Sequence, residues 1–236
     1  MITACQNPFA TDRVQQVLPF DIALTNTTWA DLWKRWEELN YRATVIGPHG
    51  AGKTTYYERY IRPRLSLPFI NADLIAKAEW GDDAVEHGYE ASRLAADTRT
   101  ALLDKKRSFV TETVFSHPSK LELLKDARDR GYMVWVTCIY VDNPDLSVER
   151  VRLRVGEGGH DVPEEKVRKR YDRMIDNVRL AIPVADRLSL IDNSFRNRAW
   201  QDVVRYESGG LVWVNPTPSL LPDWAKEFIR SVTEES

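Results

Sequence analysis

The feature that most constrains the fold of this chain is the segment 42–55, which reads RATVIGPHGAGKTT. Its first part, Ala43 to Ile46, is a short apolar run with β-branched residues, as in buried parallel strands. The next eight residues, Gly47 to Thr54, match the pattern G-x-x-x-x-G-K-[ST], and the segment after them can be helical as far as Pro63. A strand, a glycine-rich loop and a helix in this order are the context that a phosphate-binding loop requires.

The residue types of this loop predict binding of a nucleoside triphosphate such as ATP, together with Mg²⁺. Glycines let successive backbone N–H groups point inward, and the following helix directs its positive N-terminal end at the same place. Lys53 would reach the β- and γ-phosphates, and the Thr54 hydroxyl would bind Mg²⁺. His49 occupies a variable position of the pattern, so we expect no active role for it. The candidate nucleotide-binding residues are Gly47, Pro48, His49, Gly50, Ala51, Gly52, Lys53, Thr54 and Thr55.

Bulk composition excludes several classes of protein. A formal net charge of −2 over 236 residues gives no general attraction to nucleic acid or to anionic membranes. The two cysteines, Cys5 and Cys138, form neither a disulfide framework nor a zinc spacing, which fits a reducing compartment. Cys138 lies in an apolar run and is predicted to be buried. The N-terminus lacks a signal-peptide pattern and no apolar run approaches about 18 residues, so we expect a cytoplasmic protein.

Strands alternate with helices along the rest of the chain. This order predicts the α/β fold of P-loop NTPases, with a doubly wound, mostly parallel five-stranded sheet, helices on both faces and a helical lid. Residues 1–41 are predicted as an N-terminal arm with a Trp-rich helix at 27–39 that docks on the core, and 42–236 as the main domain. A hairpin is predicted at 203–214. In the long helical region 83–106, the residues expected to face inward are Val85, Tyr89, Leu94, Thr98 and Leu102.

Polar residues follow the predicted strands, and ligands of such sheets bind at the carboxyl ends of the strands. Gly47, Asp73, Glu112, Asp142 and Asn193 are therefore expected to surround one cleft. Asp73 can act as a base on an acceptor hydroxyl, or cap a helix that starts at Leu74. Glu112 can hold Mg²⁺ through water, accept hydrogen bonds from a substrate, or be a surface carboxylate. Asp142 fits a magnesium-side acid, but we favour a turn.

An arginine-rich stretch at 150–173 is interrupted by a glycine-rich loop. Two basic helices joined by such a hinge predict a lid whose arginines close over the transferred phosphate. The alternative is a solvated helix pair in which acids such as Glu149 and Glu164 balance the arginines. His160, in the hinge, could donate to phosphate or pack the loop. The lid arginines singled out are Arg150, Arg154, Arg168, Arg170 and Arg173.

The motifs GPHGAGKTT, FINADLIA, FVTETVFSHPSK, the GGHDVPEEKVRKRY stretch and ADRLSLIDNS, in this order over 42–195, resemble the zeta-toxin family of P-loop kinases. The resemblance implies ATP-dependent phosphorylation of a hydroxyl on a small molecule, typically the amino sugar of UDP-N-acetylglucosamine. It implies Asp73 as catalytic base and Lys53 as a contact of the phosphates. It also implies Arg150 as a phosphate-stabilising arginine, with Arg154 or Arg170 as the second.

The same resemblance implies the substrate contacts and the partners. Glu112 matches the substrate-binding glutamate of the family, and Asn193 matches a loop residue near adenine. Further substrate-binding candidates in these motifs are Asn71, Asp73, Thr113 and Ser116. The implied partners are a nucleotide-sugar substrate and, if the chain belongs to a toxin–antitoxin pair, an antitoxin protein; the residues do not decide whether it does.

Two rival functions stay open at this point. The first is a kinase for another small acceptor, such as an antibiotic, a nucleotide or the NAD hydroxyl. The second is a nucleotide-dependent binding module, in which a protein partner docks on the Trp29–Trp36 helix.

Overall fold

The computed structural model describes residues 41–65, 67–156, 162–195 and 200–234. One sheet of seven strands runs through this part of the chain. Its strands are β1 (Tyr41–Ile46), β2 (Phe69–Ile70), β3 (Val110–Thr113), β4 (Met133–Tyr140), β5 (Arg187–Asp192), β6 (Gln201–Glu207) and β7 (Gly210–Val214). Their spatial order is β2-β3-β1-β4-β5-β6-β7.

Helices connect the strands. The α-helices of the described residues are α1 (Lys53–Tyr56, continued by a π-helical segment Tyr57–Ile61), α2 (Ala72–Trp80), α3 (Gly88–Asp104), α4 (Pro118–Asp129), α5 (Pro144–Gly156), α6 (Glu164–Ala181) and α7 (Asp223–Glu234). Short 3₁₀ segments lie at Gly81–Val85 and Pro218–Leu220.

The α/β class predicted from the sequence is confirmed, but the predicted count of five strands is wrong. Strands β1 to β5 form the parallel part of the sheet, β6 pairs antiparallel with β5, and β7 pairs antiparallel with β6. The hairpin predicted at 203–214 is therefore part of the sheet. Its two-residue loop has φ of +47° at Ser208 and +86° at Gly209, as in the type I′ turns whose twist matches that of paired strands.

The position of β1 in the sheet determines where the glycine-rich loop lies. β1 pairs with β3 on one side and with β4 on the other, and Ile46 is aligned with both Thr113 and Cys138. The loop therefore starts in the middle of the parallel part of the sheet, at its carboxyl edge. Cys138 is fully buried, as predicted, and burial raises the pKa of its thiol to about 12.

The helical region before β3 differs from the prediction. The chain forms α2 directly after β2, so Asp73 lies in a helix and not at a strand end. The predicted inward face of α3 is wrong for Tyr89, Leu94 and Thr98, since Tyr89 is 81% exposed, Leu94 is 37% exposed and Thr98 is also exposed. The same holds for Val85, which is 54% exposed and lies before α3. The prediction is confirmed for Leu102, which packs against the core. The face of α3 that is buried instead carries Ala91, Ala95, Arg99 and Leu103.

Small side chains explain this choice of face. Alanine at two successive turns lets a helix lie close to its neighbours, whereas larger residues would hold it away. The helix therefore buries two of its alanines together with Arg99 and Leu103, and leaves Tyr89 and Leu94 toward solvent.

Several predictions fall outside the described residues. They concern the arm at 1–40 with its Trp-rich helix, and the hinge at 157–161 that contains His160. Across the ranges that the structure covers, no helix has the length and apolar character needed to cross a membrane.

Candidate active site

The phosphate-binding loop packs tightly against the elements around it. Gly50 has a φ of +72°, and a Cβ atom there would lie 3.0 Å from Cβ of Arg150. Gly52 has a φ of +86°, and a Cβ atom there would lie 2.9 Å from the side-chain nitrogen of Asn193. A side chain at either position would be strained in its backbone and crowded by its neighbours. The glycine pattern therefore reflects contacts with α5 and with the end of β5.

A polar cluster forms where the loop enters α1. Glu112, in β3, accepts a hydrogen bond from the Thr54 hydroxyl at 2.7 Å. The same carboxylate oxygen accepts a second bond from the Asn71 side-chain amide, also at 2.7 Å. The other oxygen lies 3.8 Å from Nζ of Lys53, and both side chains of this ion pair are about nine-tenths buried, with 7% and 11% exposed. Glu112 is therefore a partner of the loop and not a surface carboxylate.

Lys53 is the central cation of this cluster. Its ammonium donates to the Pro48 carbonyl at 3.0 Å, across the glycine-rich loop. Burial lowers the pKa of Lys53, while the nearby carboxylates of Glu112 and Asp73 act in the opposite direction. Arg154 lowers the pKa further. Asp73 and Arg154 thus both lie within electrostatic reach of the lysine that would contact the phosphates.

Asn71 fixes the position of the Asp73 backbone at the start of α2. Its side-chain oxygen accepts hydrogen bonds from the backbone N–H groups of Asp73 at 2.8 Å and Leu74 at 3.2 Å, so Asn71 caps α2. The alternative that Asp73 itself is the cap is therefore wrong. Asp73 is exposed, and within the described ranges its carboxylate has no hydrogen bond or ion pair. Asp73 lies in the first turn of α2.

The two predicted residues that follow β4 and β5, Asp142 and Asn193, have different surroundings. Asn193 is buried and donates to the Ala51 carbonyl at 2.8 Å, which joins the end of β5 to the glycine-rich loop. Asp142 is exposed and lines a separate hollow with Asn143 and Phe195. Its backbone N–H donates to the Ser194 hydroxyl at 2.8 Å, which joins the segments that follow β4 and β5. Of these two predicted residues, Asn193 therefore contacts the glycine-rich loop, whereas the described contact of Asp142 is with Ser194.

The arginines of the predicted lid also fall into two groups, those at the glycine-rich loop and those away from it. Arg170 of α6 contacts Nε2 of His49 at 2.7 Å, which brings the second lid helix to the glycine-rich loop. Arg150 of α5 lies against the same loop and donates to the Ser194 carbonyl at 3.4 Å. His49, for which we expected no active role, therefore contacts an arginine of the predicted lid.

The remaining arginines join the two lid helices to each other. Arg152 pairs with Glu164 at 2.6 Å, and Arg168 pairs with Glu164 at 2.8 Å and with Asp145. Arg173 is exposed and donates to a backbone carbonyl of its own helix. The solvated, acid-balanced interpretation therefore holds for Arg152 and Arg168, and Arg173 is solvated. Arg150 and Arg170 contact the loop or the residues beside it, and Arg154 is near Lys53.

The segment after β3 contains contacts that the sequence did not indicate. Phe115 is buried and has a φ of +61°, which is costly for a residue with a bulky side chain. Asn177 of α6 holds this turn by donating to the Phe115 carbonyl at 2.9 Å. Thr113 accepts from the Phe115 N–H at 3.4 Å, and the partly exposed Ser116 follows. A left-handed phenylalanine has no sequence signature, so only the fold reveals this turn.

Comparison with known proteins agrees with this architecture. The family model described as Zeta toxin matches residues 72–202, more than half of the chain. An uncharacterized protein of Haemophilus influenzae is 25% identical over 138 residues, which are 58% of this chain and 97% of the relative.

Two solved structures have a similar fold. One comes from the PezAT chromosomal toxin–antitoxin system of Streptococcus pneumoniae, with a TM-score of 0.53 and 17% identity, over 84% of this chain and 85% of that one. The other is the AvrRxo1-ORF1:-ORF2 complex with ATP, with a TM-score of 0.61 and 16% identity, over 83% of this chain and 64% of that one. At these identities the likeness concerns the fold alone.

Proposed function

Because the chain belongs to the zeta toxin family of P-loop kinases, we propose that it transfers the γ-phosphate of ATP to a hydroxyl of a nucleotide sugar, with UDP-N-acetylglucosamine as the preferred acceptor. The observation that carries this proposal is the cluster in which Glu112 contacts Thr54, Asn71 and Lys53. It joins the nucleotide-binding loop to the strand and helix that carry Glu112 and Asp73. These contacts support the proposal, because they link the candidate nucleotide-binding residues to the candidate acceptor residues.

The residues at the loop fit Mg²⁺ and ATP. A threonine hydroxyl next to a carboxylate provides the oxygen ligands that Mg²⁺ prefers, usually supplemented by phosphate oxygens and water. Thr54 and Glu112 would hold the ion, which supplies charge neutralisation of the phosphates when bound. Lys53, the backbone of Gly47 to Thr55 and Asn193 behind it would hold the nucleotide.

The proposed reaction assigns one step to each group. Asp73 accepts the proton of the acceptor hydroxyl as its oxygen bonds to the γ-phosphorus, while the bond from that phosphorus to the ADP oxygen breaks. Lys53, Arg150, Arg154 and Arg170 stabilise the negative charge of the transferred group. In this proposal Asn71, Thr113 and Ser116 orient the acceptor beside Glu112.

Mass spectrometry of a reaction with ATP, Mg²⁺ and UDP-N-acetylglucosamine tests this function. We expect a product heavier by one phosphoryl group, and a fall of kcat by about 10²-fold or more in Asp73→Asn, the range for loss of a general base. ADP affinity should stay close to wild type, because the carboxamide keeps the size of the side chain. Asp83→Asn, an exposed acid in the following 3₁₀ segment, is the matched control and should react normally. Full turnover by Asp73→Asn would remove this residue from the mechanism.

The rival functions make different predictions in the same assay. A kinase for another acceptor would consume ATP only when an antibiotic, a nucleotide or NAD replaces the nucleotide sugar. A nucleotide-dependent binding module would give no phosphorylated product, and would lose its partner on Trp33→Ala. An antitoxin partner is a proposal that draws on the toxin–antitoxin system of the PezAT neighbour. Co-purification of this chain with the product of an adjacent gene would test it.

A further inference from the structure

His49 lies inside the glycine-rich loop and contacts an arginine of a helix that is distant in sequence. A guanidinium nitrogen of Arg170, in α6, lies 2.7 Å from Nε2 of His49, and both side chains are partly buried. The neighbours of His49 in the loop make contacts of their own. The Pro48 carbonyl accepts from the Lys53 ammonium at 3.0 Å, and Gly50 packs against α5. The backbone that carries His49 is therefore held on both sides of it.

The chemistry of the two side chains determines which of them donates. An arginine guanidinium stays protonated and has only donors, whereas a neutral imidazole has one donor and one acceptor nitrogen. Nε2 of His49 therefore accepts from Arg170, and the imidazole is neutral with its proton on Nδ1. Arg170 has five N–H donors, and this bond uses one of them. The other four can serve an anion beside the loop.

Two buried hydrogen bonds hold the helix from which Arg170 extends. The Tyr171 hydroxyl donates to the Val141 carbonyl at 2.6 Å, directly after β4. The Asn177 side chain, two turns further along α6, donates to the Phe115 carbonyl at 2.9 Å in the turn after β3. α6 is thereby attached to the ends of two central strands. Arg170 is thus held at its root by the helix and at its tip by His49.

We propose that His49 is a positioning residue, which holds the Arg170 guanidinium beside the glycine-rich loop for contact with the γ-phosphate of a bound nucleotide. A long arginine side chain loses rotamer freedom when it becomes ordered. If His49 orders the side chain before the nucleotide binds, this loss does not reduce the affinity for the phosphate. The proposal rests on the proposed kinase function, in which Arg170 stabilises the transferred group, and adds the residue that prepares Arg170 for that role.

Two nucleotides that differ at the γ-position test this proposal without any acceptor. The Kd values of ADP and of the non-hydrolysable ATP analogue AMP-PNP, each with Mg²⁺, are measured calorimetrically on the full chain. The ratio of the Kd of ADP to that of AMP-PNP gives the advantage due to the γ-phosphate. Arg170→Met should lower this ratio by about tenfold or more, as for loss of one charge-assisted contact. His49→Ala should lower it by about two- to tenfold, the cost of ordering one long side chain on binding.

Two further variants separate positioning of Arg170 from packing of the loop. His49→Gln offers an amide oxygen that can accept from Arg170, so it should keep most of the wild-type ratio. In the double variant of Arg170→Met and His49→Ala, the ratio should equal that of Arg170→Met alone, because His49 then has no guanidinium to hold. The Kd of ADP should stay close to wild type throughout. If His49→Ala does not fold, His49→Leu, which keeps a bulky side chain but has no acceptor, takes its place.

The chain offers a matched control for each residue of the pair. Arg173→Met removes an exposed arginine of the same helix, which donates to a backbone carbonyl of α6. His87→Ala removes a partly exposed histidine that stacks on Trp80. Both variants should keep the wild-type ratio.

The outcomes separate this role from the kinase function. An unchanged ratio in Arg170→Met or in His49→Ala, equal losses in His49→Ala and His49→Gln, or additive losses in the double variant would each overturn the positioning role. If such a chain still phosphorylates UDP-N-acetylglucosamine, the kinase proposal stands without it. Conversely, the expected ratios in a chain that phosphorylates no nucleotide sugar would support the role of His49 and reject that acceptor.

Discussion

At the scale of single residues, Glu112 is the group on which the site depends most. One of its oxygens accepts two short hydrogen bonds, and the other faces a buried lysine. The sequence indicated a carboxylate at this position, but three uses for it remained open. The contact with Thr54 could not be read from the motifs, since it joins residues 58 positions apart through the pairing of β1 with β3.

Glu112→Gln should destabilise the protein by about 1–3 kcal/mol, because Lys53 would then be a buried charge without a counter-charge. Denaturant-induced unfolding measures this change. Glu122→Gln is the control, since it also removes the acid of a Glu–Lys pair, but at an exposed site on α4, where such pairs contribute little. Equal stability of the two variants would mean that the Lys53–Glu112 pair does not stabilise the fold.

At the scale of secondary structure, the sequence predicted elements that are determined locally and missed those that depend on neighbours. The glycine-rich loop, the β6–β7 turn and the break after α4 at Gly131, with a φ of +81°, follow from residues that favour particular backbone angles. The buried face of α3 does not follow from the hydrophobic pattern. It depends on how closely the helix packs, so alanines and Arg99 are buried while Tyr89 is exposed.

At the start of α2, Asn71 both caps the helix and donates to Glu112 of the polar cluster. Replacing Asn71 is therefore expected to affect both the stability of the helix and the reaction. Asn71→Ala should destabilise the protein by about 1 kcal/mol through loss of the cap, and should also lower kcat, because Glu112 loses a donor and Asp73 loses its fixed position. Steady-state kinetics and thermal unfolding measure the two effects.

Asn143→Ala is the matched control for this prediction. Asn143 accepts from the Leu146 N–H at 2.9 Å at the start of α5 and has no contact with Glu112 in the described structure. It should lose similar stability and keep its kcat. If kcat falls equally in both variants, loss of a helix cap alone explains the effect, and the hydrogen bond from Asn71 to Glu112 does not contribute to activity.

At the scale of the whole molecule, the order of strands separates the two halves of the proposed reaction. Asn71 directly follows β2 and Glu112 lies in β3, whereas β4 and β5 lead to Arg150 and Asn193. The sequence predicted that the strand ends would meet, but it could not indicate that Asp142 contacts Ser194 or that Arg170 contacts His49. The second contact arises from the packing of α6 against the loop, which no local pattern encodes.

This arrangement predicts that nucleotide binding stabilises the entire fold, because the loop contacts β3, α5 and the end of β5 together. ADP with Mg²⁺ at 100 times its Kd should add about 2.7 kcal/mol, which corresponds to a rise in Tm of about 5–10 °C for a chain of this size. Lys53→Met should remove most of this rise, since the ammonium that contacts the phosphates is lost. Lys125→Met, an exposed lysine far from the loop in sequence, should keep it. If ADP raises Tm equally in Lys53→Met and Lys125→Met, the nucleotide binds elsewhere, and the donor side of the proposed reaction must be assigned to other residues.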